Sequence, residues 1–192
     1  ASRMAAAGIA FVEAEVTGSS RLFERGEAAL LVGASGEAIR QAAALLDALS
    51  PVVFHLGEVG SGARMKLVSN LVVGLNRLVL AEAVSLAEKV GVSPAHLLEV
   101  LRSGPGHSRA LELKGRKMVE GDYDPEARLA QHLKDVELIL ELGGGVDAPL
   151  PLSRLHRELL ERGVADGLGD LDNSSIVEVL RKGLGAEESK DA

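Results

Sequence analysis

The apolar positions change period about a third of the way along the chain, and that change sets the expected architecture. Residues 9–16, 28–32 and 52–56 are short runs rich in Val, Ile, Leu and Phe, which predict strands. Residues 37–49, between the second and third runs, carry helical spacing instead, so this part reads as the end of an α/β layer. After the turn Gly57-Glu58-Val59-Gly60-Ser61-Gly62 everything reads as helix. Residues 63–90 hold no Pro and one interior glycine, Gly74, and so predict a single helix of roughly 40 Å at about 1.5 Å per residue. Its apolar residues, among them Leu67, Val68, Leu71, Val72, Leu75, Leu78, Val79, Val84 and Leu86, nearly encircle it, an arrangement that calls for burial on most sides. Shorter helices are expected over 95–101, 109–119, 127–142, 152–162 and 175–182. Ser93-Pro94 offers an N-cap and a preset first turn to the first of these, and the Ser175 to Glu178 spacing is that of a capping box for the last.

The pattern therefore predicts an α+β chain: the end of an α/β layer over residues 1–60, an all-α domain built on a long central helix over 61–185, and a flexible charged tail over 186–192. Composition agrees with the helical emphasis. With 46% hydrophobic residues but only 2% aromatic, the core of this 192-residue chain must rest on Leu, Val, Ala and Ile. A net charge of -7 and the lack of a broad Lys and Arg run argue against nucleic acid. No cysteine is present, which rules out disulfides, thiolate metal sites and a cysteine nucleophile, and suits a cytoplasmic setting. No signal-peptide pattern is visible. The most membrane-like stretch, 67–81, is interrupted by Ser69, Asn70, Asn76 and Arg77, which favours burial against protein over lipid.

Lys66 and Asn70 are four residues apart and share one face of the long helix, just after the glycine-rich turn. Such a pair serves equally as a solvated edge or a buried polar contact. The preceding Gly60-Ser61-Gly62 adds a functional reading, because glycines let a backbone approach a ligand and a helix start favours an anion. A lysine desolvated in a pocket exchanges protons nearer neutrality, which makes Lys66 a candidate acid or base. The five histidines, His55, His96, His107, His132 and His156, show no metal-ligand spacing and are expected on the surface or satisfied in the core. Asp170 and Asp172 lack the terminal Glu of a calcium loop and read as turn and cap residues, so no metal is assigned. A serine hydrolase elbow is absent.

The run Gly60-Ser61-Gly62-Ala63-Arg64-Met65-Lys66-Leu67-Val68-Ser69-Asn70 resembles the catalytic signature of the β-hydroxyacid dehydrogenases, the family that includes 3-hydroxyisobutyrate dehydrogenase, tartronate semialdehyde reductase and 6-phosphogluconate dehydrogenase. Three further stretches follow the family in order. Phe11-Val12-Glu13-Ala14-Glu15-Val16-Thr17-Gly18-Ser19 is similar to its substrate-binding segment Asp-Ala-Pro-Val-Ser-Gly-Gly, Leu133-Lys134-Asp135-Val136-Glu137-Leu138 to its Lys-Asp-x-x-Leu stretch, and Gly167-Leu168-Gly169-Asp170-Leu171-Asp172-Asn173-Ser174 to its closing Gly-x-Gly-x-x-Asp-x-Ser.

The resemblance implies the C-terminal remnant of a Rossmann-type domain followed by the helical catalytic domain. It implies hydride transfer between NAD or NADP and a small hydroxy acid. Lys66 would pass the proton and Asn70 would hold the substrate hydroxyl or carbonyl. Thr17, Gly18 and Ser19 would bind the substrate carboxylate, and Lys134 would add positive charge beside substrate and nicotinamide. Gly60, Gly62, Lys134 and Asp135 would lie on the cofactor. A homodimer or higher homo-oligomer is expected, without nucleic acid or membrane. Three positions depart from the pattern: Glu13 stands for Asp, Glu15 for Pro, and Ser19 for the second Gly. The Gly-x-Gly-x-x-Gly of a dinucleotide site is absent from these residues, as is an acidic residue some twenty positions on, so the rest of that domain is expected outside them. A second reading, from a different class, is a non-catalytic dimerisation module that kept the helical fold.

Overall fold

The unbroken apolar run Leu30–Gly33 forms strand β2 and is buried along its whole length, as expected of a central strand flanked on both sides. In this computed structural model β1 (Glu13–Val16) pairs with it antiparallel, Glu13 opposite Gly33 and Val16 opposite Leu30. On its other side β3 (Val53–His55) pairs parallel, so the sheet order is β1-β2-β3. The parallel pair needs a crossover, which helix α3 provides. The first helix, α1, spans Ser2–Ala6, α2 spans Ser20–Glu24, and α3 spans Gly36–Leu49. Ser35 caps α3 by accepting the Ala38 N–H, and Leu46 on its inner face joins Leu30 and Val32 in a small core.

The structure describes residues 1–18 and 20–183, which fall into two compact units divided between Ser69 and Asn70. The expected tail, 186–192, lies outside the described residues. The strand predicted over 9–16 shortens to four residues. Its partner explains this: past Gly33 the chain leaves the ladder for the Ser35 cap, so nothing continues the pairing before Glu13. At the other end pairing runs one residue further, with Thr17 N–H donating to the Ala29 carbonyl.

Helix α4 runs Ser61–Lys89 as predicted, and the division between the units falls within it. The helices that follow are α5 (Pro94–Ser103), α6 (Arg109–Glu120), α7 (Leu129–Gly144), α8 (Pro151–Ala165) and α9 (Ile176–Lys182), the last entered through a 3-10 turn at Asn173–Ser175. In the helical unit Leu78, Leu80, Ala81 and Val84 of α4 pack with Leu98, Leu111, Met118, Leu129, Val136, Leu160 and Val177 in one aliphatic core.

Two expectations are corrected here. Burial of α4 on most sides does not hold: Val72, Val79 and Leu86, spaced seven apart, are 53%, 63% and 59% exposed. The small inner face is enough to seat the helix, and a second apolar stripe remains outside. Nor does Ser175 cap α9. It already has helical backbone angles and its buried hydroxyl makes no hydrogen bond among the described residues, while Glu178 bonds Tyr123 and Arg181 instead.

Candidate active site

Residues two apart in a strand point to the same side. On β1 these are Glu13 and Glu15, and both carboxylates reach α4. Glu13 Oε2 accepts the N–H groups of Gly60 at 2.7 Å and Gly62 at 3.2 Å, and its Oε1 accepts that of Ala63 at 3.3 Å. The open amides at a helix start attract an anion, and here the protein supplies its own. Gly62 is fixed by crowding: a Cβ there would sit 2.4 Å from the Leu31 carbonyl oxygen. In this chain the amide donors of Gly60 and Gly62, expected on the cofactor, are taken by Glu13.

One turn further, Lys66 Nζ donates to Glu15 Oε2 at 2.8 Å. The pair is open to solvent, with side chains 38% and 34% exposed. An accessible ammonium is held by a carboxylate from the neighbouring strand. Asn70 follows Lys66 by four residues on the same helix, is half-buried, and makes no side-chain hydrogen bond among the described residues.

Two residues beyond Glu15, Thr17 extends the sheet. Its Oγ1 accepts the Ala29 N–H at 2.9 Å, which leaves the hydroxyl proton available to donate. Gly18 has φ +81°, a left-handed conformation that side-chain-bearing residues rarely adopt, and its backbone is exposed. Ser19 lies outside the described residues. Within the first unit, then, Thr17 and Gly18 close the strand whose preceding residue of the same facing, Glu15, holds Lys66.

In the helical unit, Lys134 and Asp135 occupy successive positions on α7 and behave differently. Lys134 is exposed and makes no hydrogen bond or ion pair among the described residues. Asp135 is half-buried and lends its charge to Arg77. Arg77, inward on α4, is 6% exposed, and burial lowers its guanidinium to about 10 against the opposing pull of Asp172 and Asp135. Beside it His132 and His156 stack with ring centroids 5.0 Å apart. Burial holds His132 well below the usual imidazole range, assisted by the Arg77 and His156 charges, and brings His156 down to about 4. Both lie in the core, but the expectation that core histidines are satisfied does not hold for His132, whose buried Nε2 has no hydrogen-bond partner among the described residues.

Asp172 is the cap that the closing motif predicts. Its Oδ1 accepts from the Ser174 N–H and hydroxyl, and its Oδ2 from the amides of Glu126 and Ala127. Lys114, 8% exposed, donates to both oxygens at 3.0 and 2.9 Å. Burial works against the Asp172 charge, but the hydrogen bonds from Lys114 and Ser174 outweigh it and bring the carboxyl to about 2. Lys114 carries no signal in the sequence that would single it out, and Arg77 shows there only as a polar break in the apolar run 67–81. Glu13 and Glu15 are visible there only as departures from a pattern.

Comparison with known proteins adds an independent line. Residues 60–180 match the family described as NAD-binding of NADP-dependent 3-hydroxyisobutyrate dehydrogenase, and residues 1–57 match the NAD binding domain of 6-phosphogluconate dehydrogenase. The chain is 33% identical to 2-(hydroxymethyl)glutarate dehydrogenase of Eubacterium barkeri, over 95% of this chain and 61% of that protein. It is 35% identical to the chloroplastic glyoxylate/succinic semialdehyde reductase 2 of Arabidopsis thaliana, over 96% and 51%. Its fold is that of the crystal structure of 3-hydroxyisobutyrate dehydrogenase from Salmonella typhimurium, with a TM-score of 0.87 at 24% identity, over 93% of this chain and 63% of that one. The chain thus spans about half to three-fifths of the length of these relatives.

Proposed function

This chain belongs to the β-hydroxyacid dehydrogenase family, and on that premise we propose that it carries the substrate-side portion of an NAD(P)-dependent oxidoreductase acting on a small β-hydroxy acid. The observation that carries the reading is Lys66: an accessible, carboxylate-held ammonium on the helix that bears the complete Gly60 to Asn70 signature.

The nicotinamide, when bound, supplies or takes the hydride. In the reducing direction Lys66 Nζ gives a proton to the oxygen of the carbonyl as it becomes a hydroxyl, and in the oxidising direction the neutral amine takes that proton back. Asn70, one turn on, has a free side-chain amide to orient the same oxygen. The Thr17 hydroxyl and the Gly18 N–H are suited to the substrate carboxylate. The residues fit the dinucleotide unevenly. The Gly60 and Gly62 amides are taken by Glu13, whereas Lys134, exposed and with no hydrogen bond or ion pair among the described residues, is proposed for the dinucleotide or the substrate.

We further propose a homodimer or larger homo-oligomer in which the exposed stripe Val72, Val79 and Leu86 packs against another copy, and a cytoplasmic location in keeping with the lack of cysteine. The decisive experiment assays the full-length protein on a panel of hydroxy and oxo acids with NAD and NADP, beside Lys66→Ala. Turnover should fall about 100-fold or more in the variant. Undiminished turnover in Lys66→Ala rejects the assignment. Light scattering on Val79→Lys and Leu86→Lys tests the stripe, with loss of the oligomer expected.

A further inference from the structure

Strand β1 cannot slide relative to α4. Glu15 stands opposite Leu31 in a ladder whose central strand is buried throughout, and Glu13, two residues before it, is tied by three backbone N–H groups to the start of the helix. Glu13 is thereby committed to the helix start. Glu15 is not: among the described residues its partner is the Lys66 ammonium, on the second turn of the same helix. A solvent-open pair of this kind contributes little to stability, so its role follows from where it sits. Resting on the oxidoreductase reading above, we propose that Glu15 is a positioning and charge-selecting residue: its carboxylate holds the Lys66 ammonium for proton transfer and discriminates against substrates that carry a second carboxylate near the reacting carbon.

The argument is one of charge balance. Lys66 and Glu15 together are neutral, so a substrate that brings one carboxylate meets its donors at Thr17 and Gly18, and the Lys66 charge is not spare to draw a second. A dicarboxylate would have to share Lys66 with Glu15 or lie against it unpaired. An uncompensated charge a few ångströms from another at a partly exposed site changes binding by about tenfold or more. A neutral residue at position 15 would leave the Lys66 ammonium unpaired and remove that penalty.

The test uses the full-length protein with its cofactor, as wild type, Glu15→Gln and Glu15→Asp. Turnover is compared between a monocarboxylate semialdehyde and a dicarboxylate oxo acid of the same chain length. Glu15→Gln should raise kcat/KM for the dicarboxylate relative to the monocarboxylate about tenfold, chiefly through KM, and Glu15→Asp should restore the preference. A second arm needs no turnover: acetic anhydride labelling of Lys66, read by mass spectrometry, should proceed several-fold faster in Glu15→Gln than in wild type. An unchanged substrate ratio in an active protein overturns charge selection alone, and equal labelling overturns the hold on Lys66. Wild-type protein inactive on every oxo acid with either cofactor overturns the oxidoreductase reading and, with it, the selection.

Discussion

Each unit of the molecule contains a lysine paired with a carboxylate from a distant part of the chain, and the two pairs do different work. Lys114 and Asp172 are 58 residues apart and sealed, with side chains 11% and 0% exposed. Lys66 and Glu15 are 51 residues apart and open, at 38% and 34%. In the sealed pair every lone pair of the carboxylate is matched by a donor, which is what allows a charge to remain inside a protein. In the open pair water competes at both ends and the partners are free to exchange for a ligand. Burial alone separates a structural fastening from a candidate reaction centre.

The largest effect expected from breaking this contrast is at Asp172. Asp172→Ala leaves the buried Lys114 ammonium only its longer contact to Glu126 at 3.3 Å, strands the amides that Asp172 accepts from, and should destabilise the helical unit by about 3 kcal/mol. Urea unfolding followed by tyrosine fluorescence reads that unit selectively, since Tyr123 is the only tyrosine of the chain and there is no tryptophan.

Acid should loosen the same unit next, by about 3 kcal/mol from His156 alone. Unfolded imidazoles take up protons near pH 6.5, while buried His156 stays neutral down to about 4 and His132 is also held well below 6.5. Between those values the unfolded chain binds more protons, so stability falls as the pH drops through that window. Asp172 adds a further loss between its usual 3.8 and about 2. A urea midpoint that stays constant from pH 7 to 4.5 contradicts the histidine assignment.

Gly74→Ala should follow, at about 1–3 kcal/mol, because the added Cβ would lie 2.8 Å from His132 Nε2 and 3.0 Å from His156 Cε1. Thermal melts of the variant check it. The smallest change is expected at the open pair. Glu15→Gln should shift the unfolding free energy by less than about 1 kcal/mol while altering Lys66 reactivity. A loss as large as that of Asp172→Ala would make the two pairs equivalent and remove the distinction.

Much of the fold was legible beforehand. The strand order followed by helices, the 29-residue span of α4 and the Ser93 cap of α5 all follow from local spacing, and the structure keeps them with shifts of a few residues. The errors share one origin. The first strand was read too long because its own residues favour extension, whereas its length is decided by where β2 stops offering partners. Within one chain α4 is buried on one side only, because an apolar side says that a partner is favourable without saying that the same chain supplies it. Ser175 has cap spacing but helical backbone angles, set by the Asp172 turn before it.

For the candidate site, the sequence by itself determined the face shared by Lys66 and Asn70, the glycine-rich entry to α4 and the membership that those motifs imply, because each depends on residues within one or two helical turns. The tertiary structure alone decided what surrounds them. That the amides of Gly60 and Gly62 bond Glu13, that Lys66 meets Glu15, and that Arg77, His132 and His156 share one buried cluster all depend on contacts between residues distant along the chain. Such contacts leave no periodic trace in a single sequence. They are fixed by how strands and helices pack, and packing determines which charge keeps its water and which must find a partner.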